Sequence, residues 1–586
     1  MIRLPRPLLV RLSVAALVVA LIGIPLGGLA GLGPLAGLAG ATAKPSAGAT
    51  GSPGSSPVAV GSAAPLPSPS PLPTPSPSPS PSPSPSPTPI PPVALAPVTA
   101  FRSTASETNT AEVQAVLAGT SKTYAALELV AAEADAVLAA VGAARPRNPA
   151  RLVLAADAAA LRNDLTAHPD RLGFLRADDV DASVRALAWN GASLFGVGRV
   201  ASLAAWPLTA RLAGGTAATG APAALVGPGA AGSSTMAASA ASVVLSYDPA
   251  AAWTLFAGGD VLLDRGVSLT IKSDGKGVDF PFGGGTATIT SRYCCSSFGW
   301  KLPRTSRTGN AGSLRALLGG ADIAIANFEN PAPVKYTWHK SGTVFTADPA
   351  LIAGLKHAGL DWLSLANNHI RDAGATGILQ TITALDGYGI AHGGAGSGYA
   401  AAHKPTILTA RGVRVALLGY DTIAASYWAT TADKVGSAQM TEAALKADVA
   451  AARAAGADVV IVFPHWGVEY TTVVSAQQKR LGHAAIDAGA DLVIGNHPHW
   501  AGAVELYKGK PIWYALGNFI FDQTWSEPTM EGITLELTFH GARLVQAKMR
   551  PHIILDKAQP NFMEPAAAGK IVMDQVFNAS KGLLPW

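Results

Sequence analysis

From residue 254 to 516 the chain repeats one rhythm: a short run of β-branched and aliphatic residues, an abrupt stop at Gly, Asn or His, then a helical stretch. Runs 254–257, 321–326, 361–365, 413–418, 459–463, 491–494 and 512–516 behave this way. Apolar runs this short, bounded by turn residues and alternating with helices, predict buried strands of a mainly parallel sheet with helices outside. In such a sheet, sites lie at the carboxyl ends of the strands.

What stands at those ends is Asp260, Glu329, Asn368 with His369, His465, and His497 with His499. A His-Pro-His taken alone reads equally well as two surface histidines on a loop. The same loop reads differently when other strand patterns also finish in acids, amides and imidazoles. Asp, Glu, Asn and neutral imidazole form the mixed oxygen and nitrogen set that suits one or two divalent ions of the Mn, Fe or Zn type, with no thiolate competing. Such a centre activates water near neutral pH, which implies hydrolysis or transfer at a phosphoryl or acyl group.

At 586 residues the chain is long enough for two to four domains. Hydrophobic residues make up 49% and charged residues 14%, but the excess is Ala and Gly, which suits small-residue α/β packing plus linker. The formal net charge is +5 without a dense basic block beyond the N-terminus, so no nucleic-acid footprint is visible. The two cysteines, Cys294 and Cys295, are adjacent. A disulfide between neighbours needs a strained ring, so no structural crosslink is expected; a vicinal pair that reacts or binds metal is the alternative.

Arg3, Arg6 and Arg11 precede an uncharged, largely apolar stretch that ends in Ala41-Thr42-Ala43, the small-x-small form of a signal-peptidase site. Residues 1–43 therefore read as a signal peptide or, if uncleaved, a membrane anchor. Either way the remainder is expected outside the cytoplasm, anchored or secreted at the cell surface. Residues 44–97, Ala/Gly/Ser-rich and then nearly alternating Ser-Pro, read as a disordered, extended spacer. Residues 98–245 read as an accessory α/β domain, with helices at 107–117 and 152–165 and strands at 184–189 and 193–197. Its Val116-Leu117-Ala118-Gly119-Thr120 and His168-Pro169-Asp170-Arg171-Leu172-Gly173-Phe174-Leu175 stretches resemble one lobe of a phosphate- or anion-type periplasmic solute-binding protein; a helix-rich domain without ligand is the alternative. Residues 246–586 carry the chemistry.

Within that last unit, Gly259-Asp260-Val261-Leu262-Leu263, Asn327-Phe328-Glu329, Ala366-Asn367-Asn368-His369, His465-Trp466-Gly467-Val468-Glu469, Gly495-Asn496-His497-Pro498-His499 and Gly517-Asn518-Phe519 resemble, in order, the motifs of the CapA capsule-synthesis (poly-γ-glutamate) family. The resemblance covers roughly residues 254–539 and implies a calcineurin-like, metallophosphatase-type layered α/β/β/α sandwich. It implies Asp260 and His499 as ligands of a first metal, Glu329 as a bridging carboxylate, and Asn368, His465 and His497 as ligands of a second. His369 becomes the acid near the leaving group. Two departures stand out: metallophosphoesterases have a histidine two residues after the first aspartate, where this chain has Leu262, and Asp where it has Glu329.

Arg265 and Lys340 are candidate cations for substrate carboxylates or phosphates, against the plainer reading of solvated surface charges. Glu469 and Asp421 are candidates to orient His465, or simply turn caps. Two functions follow as expectations. One is an exported metal-dependent hydrolase or transferase acting on an anionic cell-surface polymer. The other is a non-catalytic assembly or tethering factor that binds polyanion in the same cleft, beside membrane-bound capsule-synthesis partners.

Overall fold

The computed structural model describes residues 92–212 and 247–584, all within one compact unit, Ser86–Trp586. The N-terminal segment 1–43 and nearly all of the Ser/Pro-rich stretch lie outside the described residues. Among the described residues no helix is long and apolar enough to cross a membrane.

The accessory part contains β1 (Val93–Ala100), α1 (Thr110–Ala118), β2 (Ala126–Val130), β3 (Leu152–Ala155), α2 (Ala158–Ala167), β4 (Arg171–Arg176), β5 (Val184–Ala186) and β6 (Thr209–Ala210). They form one sheet in the order β3-β2-β4-β1-β5, with β6 also on β1. Strand β1 starts inside the segment assigned to the spacer. The expected helix over 152–165 is a strand followed by a helix. Asp157 caps the helix by accepting from Ala160 N–H, which frees residues 152–155 to pair with β2. No strand forms over 193–197, where a single bridge joins Ser193 to Arg199. Gly196 turns the chain at φ 89°, and the N–H groups of Gly196 and Val197 bond to Thr538 and Glu536 instead.

The larger part is two stacked sheets. The first contains β7 (Ala252–Val261), β8 (Thr286–Tyr293), β9 (Leu302–Gly309), β10 (Ile323–Phe328), β11 (Trp362–Ser364) and β12 (Ala391–Gly393). The second contains β13 (Thr406–Ala410), β14 (Val413–Asp421), β15 (Val459–His465), β16 (Leu492–Ile494), β17 (Val504–Tyr507) and β18 (Lys510–Trp513). The chain then returns to the first sheet with β19 (Asn518–Ile520), β20 (Glu531–His540), β21 (Arg543–Leu555) and β22 (Gln559–Phe562). The orders are β9-β8-β22-β21-β20-β7-β10-β11-β12, with β19 beside β7, and β13-β14-β15-β16-β18-β17. Strands β7, β10, β11 and β12 run parallel, as do β14, β15, β16 and β18.

The mainly parallel expectation fails for half of the first sheet. Its β20–β21 hairpin is antiparallel and alternates, with one register shift between Thr538 and Phe539. Leu535, Leu537 and Phe539 face the other sheet, while Thr534, Glu536 and Thr538 face away. A tight turn at Gly541 (φ 59°) leaves no length for a crossover helix.

Leu255, Ile325, Leu535, Ile461 and Leu492 share the core between the sheets. Helices α3 (Ser313–Gly320), α4 (Ile352–Ala358) and α5 (Gly374–Tyr388) cover the outer face of the first sheet. Helices α6 (Glu442–Ala454) and α7 (Ala476–Asp487) cover the second. The result is an α/β/β/α sandwich, in which burying one face per helix and both faces of each parallel strand explains the uninterrupted apolar runs. Cys294 and Cys295, at the tip of the β8–β9 hairpin, are joined as a vicinal disulfide, against the expectation of no crosslink. The peptide between them is cis, and the bond ties no distant segments.

Candidate metal centre

The carboxyl ends of the two sheets meet at one edge. The first sheet delivers the oxygen donors: Asp260 near the end of β7, Glu329 just past β10, and Asn368 just past β11. The second delivers the imidazoles, His465 at the end of β15 and His497 and His499 in the turn after β16. Asp260 and Glu329 are fully buried, as nearly are the three histidines. One ligand atom each from Glu329, His465 and His497 lies within 4.8 Å of the others. His465 Nε2 is 3.4 Å from Glu329 Oε1, 3.0 Å from His497 Nδ1 and 2.8 Å from Asn368 Oδ1. His499 Nδ1 is 3.3 Å from Asp260 Oδ2 and 2.8 Å from Asn518 Oδ1.

Close backbone approach makes this meeting geometrically feasible. Gly259 lets β7 pass the turn before β19, with Asp260 N–H donating to Gly517 O at 3.2 Å. His497 and His499 have φ of 97° and 58°, a region that costs non-glycine residues roughly 1–3 kcal/mol each. In this turn His497 N–H faces Asp260 Oδ2 at 3.4 Å.

The electrostatics favour a cation. Burial, and then the neighbouring Asp260 carboxylate, hold Glu329 well above the usual carboxylate range. Its Oε1 has no hydrogen bond, while its other oxygen accepts from the Asn327 amide. Burial, and then the adjacent imidazoles, keep His465 and His497 well below the ordinary histidine value, so both stay neutral and free to ligate. For His499 burial opposes the charged form, but the hydrogen bond and charge of Asp260 outweigh it. Two buried carboxylates beside neutral imidazoles, one carboxylate oxygen without a hydrogen bond, form a donor set that fits a divalent metal.

The other candidates separate. His369 turns Nδ1 to Asp372 Oδ2 at 2.9 Å and packs against Phe345, with ring centroids 4.3 Å apart. Glu469 lies close enough to raise Glu329 and His499 electrostatically, but it does not orient His465. Asp421 does not orient it either: it caps its own turn through Ile423 N–H and Ser437 Oγ. Arg265 is no solvated charge. It is held by Asp522, donates to Gly342 O at 2.9 Å, and sits 4.9 Å from the centre of the Phe345 ring. Lys340 is exposed. Leu262 is fully buried against Phe345, Phe521 and Ile554.

Sequence reasoning passed over Asn327 and Asn518 although both lie in the quoted motifs. Asn327 Nδ2 donates to Asp260 Oδ1 at 2.8 Å and to Glu329, and lies 3.3 Å from His465 Nδ1. One amide thus spaces both acids. Tyr470 and Trp525 were also missed; Tyr470 stacks on His499 and meets Trp525 edge-on.

Fold and site together define an α/β/β/α sandwich protein with a buried carboxylate–imidazole centre at its sheet edge. The family model described as bacterial capsule synthesis protein PGA_cap matches residues 254–523. A probable polyglutamine synthesis accessory protein of Mycobacterium tuberculosis is 30% identical over 301 residues, which cover 46% of this chain and 74% of that protein. The chain belongs to this capsule-synthesis family. The capsule biosynthesis protein CapA of Bacillus anthracis is 34% identical over 216 residues, 36% of this chain. The chain spans about half the length of the curated Bacillus relatives it matches, 53% and 55%. Among solved structures, a calcineurin-like phosphoesterase from Bacillus subtilis aligns at 11% identity with a TM-score of 0.29, covering 57% of this chain and 97% of that one.

Proposed function

We propose that this protein works outside the cytoplasm as a divalent-metal-dependent hydrolase or transferase on an anionic cell-surface polymer of the poly-γ-glutamate type, beside membrane-bound capsule-synthesis partners. The reading rests on the convergence of Glu329, His465 and His497 donor atoms in a fully buried place. Glu329, Asn368, His465 and His497 would hold one ion; Asp260 and His499 would hold a second or anchor the first. A bound divalent ion supplies Lewis acidity toward a phosphoryl or acyl oxygen and lowers the pKa of nearby water. Asn327 fixes the two carboxylates at their spacing. Asp372 fixes the His369 ring, leaving Nε2 to pass a proton to the leaving group.

His369→Asn is accordingly expected to lower kcat by about a hundredfold with metal content unchanged. Steady-state kinetics beside elemental analysis check this. A parallel loss of metal would assign His369 to the metal centre instead.

Leu262 favours the second reading, a non-catalytic tethering factor, because an apolar cluster fills the place of an imidazole. Metal analysis of the purified chain, then turnover of a chromogenic phosphodiester and of poly-γ-glutamate, separates the two. Metal-dependent turnover of either substrate supports the enzyme. Metal-independent polymer binding without turnover supports the tether.

A further inference from the structure

Away from the metal centre, a cavity of about 920 Å³ lies between the accessory sheet, the outer face of β20–β21 and the start of α3. Three cations line it: Arg185 from β5, and Lys548 and Arg550 from β21. Strand alternation puts Lys548 and Arg550 on the same outward face as Glu536, which pairs across the ladder with Lys548. Glu536 is not available to neutralise all three. It is engaged by Arg550, whose Nε donates at 2.7 Å, and by Val197 N–H at 2.8 Å. Arg185 is 3% exposed and donates through Nε to Ala105 O at 2.6 Å. Lys548 has no hydrogen-bond or ion-pair partner among the described residues. The remaining acid on the wall is Glu564, which leaves a net positive lining.

A further feature suits an anion with several oxygens. Ser106 and Ser313 line the cavity, and the Ser313 hydroxyl is buried without a partner. We propose that this cavity binds a phosphorylated organic molecule, with Arg185, Lys548 and Arg550 holding the phosphoryl oxygens. A guanidinium fork, an ammonium and the Ser313 hydroxyl together can serve the three oxygens of a phosphoryl group, more donors than a two-oxygen carboxylate takes up. The cavity is also far larger than inorganic phosphate, and Phe562 and Leu317 line it for the organic part. This proposal does not depend on the metal centre.

Burial, and then Arg550 and Arg185, bring the Lys548 ammonium down to about 8. An anion favours the protonated form, so affinity is expected to hold below pH 8 and to fall as pH rises through it.

The test is calorimetric titration of the full chain with a hexose phosphate, inorganic phosphate and succinate, in EDTA so that the metal centre contributes nothing. The hexose phosphate is expected to bind with one site per chain, more tightly than inorganic phosphate, and succinate not measurably. Lys548→Met is expected to weaken binding by about tenfold or more. Arg185→Lys, which keeps the charge and loses the fork, provides a second variant should Lys548→Met unfold. Its affinity should also drop. Absence of hexose phosphate binding, equal binding of succinate, unchanged affinity in both variants, or a flat profile from pH 7 to 9.5 would overturn the proposal.

Discussion

His497→Ala is expected to weaken divalent-metal binding by more than about a hundredfold and to remove metal-dependent turnover with it. The side chain supplies one of three convergent donor atoms, and its Nδ1 faces His465 Nε2 at 3.0 Å. Its loss leaves Glu329 buried with one imidazole fewer to share a cation. The effect on stability is a second readout. Metal that binds only the folded chain adds about 2.7 kcal/mol when present at a hundred times its Kd. EDTA should therefore lower the Tm of the wild-type chain and leave that of His497→Ala where it was. Full metal content in the variant, at unchanged affinity, would remove Glu329, His465 and His497 as a shared centre.

Gly259→Ala should have a comparably large effect for a different reason. A Cβ at this position would stand 1.9 Å from Gly517 O, a backbone atom that cannot rotate away. To admit it, β7 must move from the turn that leads into β19, and those segments carry Asp260 and Asn518. A destabilisation of about 3 kcal/mol or more is expected in chemical denaturation, together with lost metal binding. Gly275→Ala is the control. Gly275 has positive φ, at 67°, which Gly259 does not, but nothing lies within 4 Å of its added Cβ, so only a backbone cost of about 1 kcal/mol applies. Equal stability of the two variants would show that the contact between β7 and the Gly517 turn does not govern the site.

The divide between what was readable and what was not follows contact range. Apolar runs that end at turn residues mark parallel strands because both faces of such strands are buried, and that pattern is local. The same locality places Asp348, followed by a proline, as a helix cap, accepting Ala350 N–H two residues on. It also misled: the 152–165 helix and the 193–197 strand yielded to pairing with β2 and to hydrogen bonds reaching more than 300 residues away.

The identities of the candidate ligands were set by residue type at strand ends, and the sequence alone determined those. Only the tertiary structure decided that the acids arrive on one sheet and the imidazoles on the other. It also decided that a single Asn327 amide spaces the two carboxylates, and that Arg265 is spent on Asp522 rather than offered to a substrate. Each of these depends on side chains tens to hundreds of positions apart, and their distances are fixed by how two sheets stack, which no local pattern encodes.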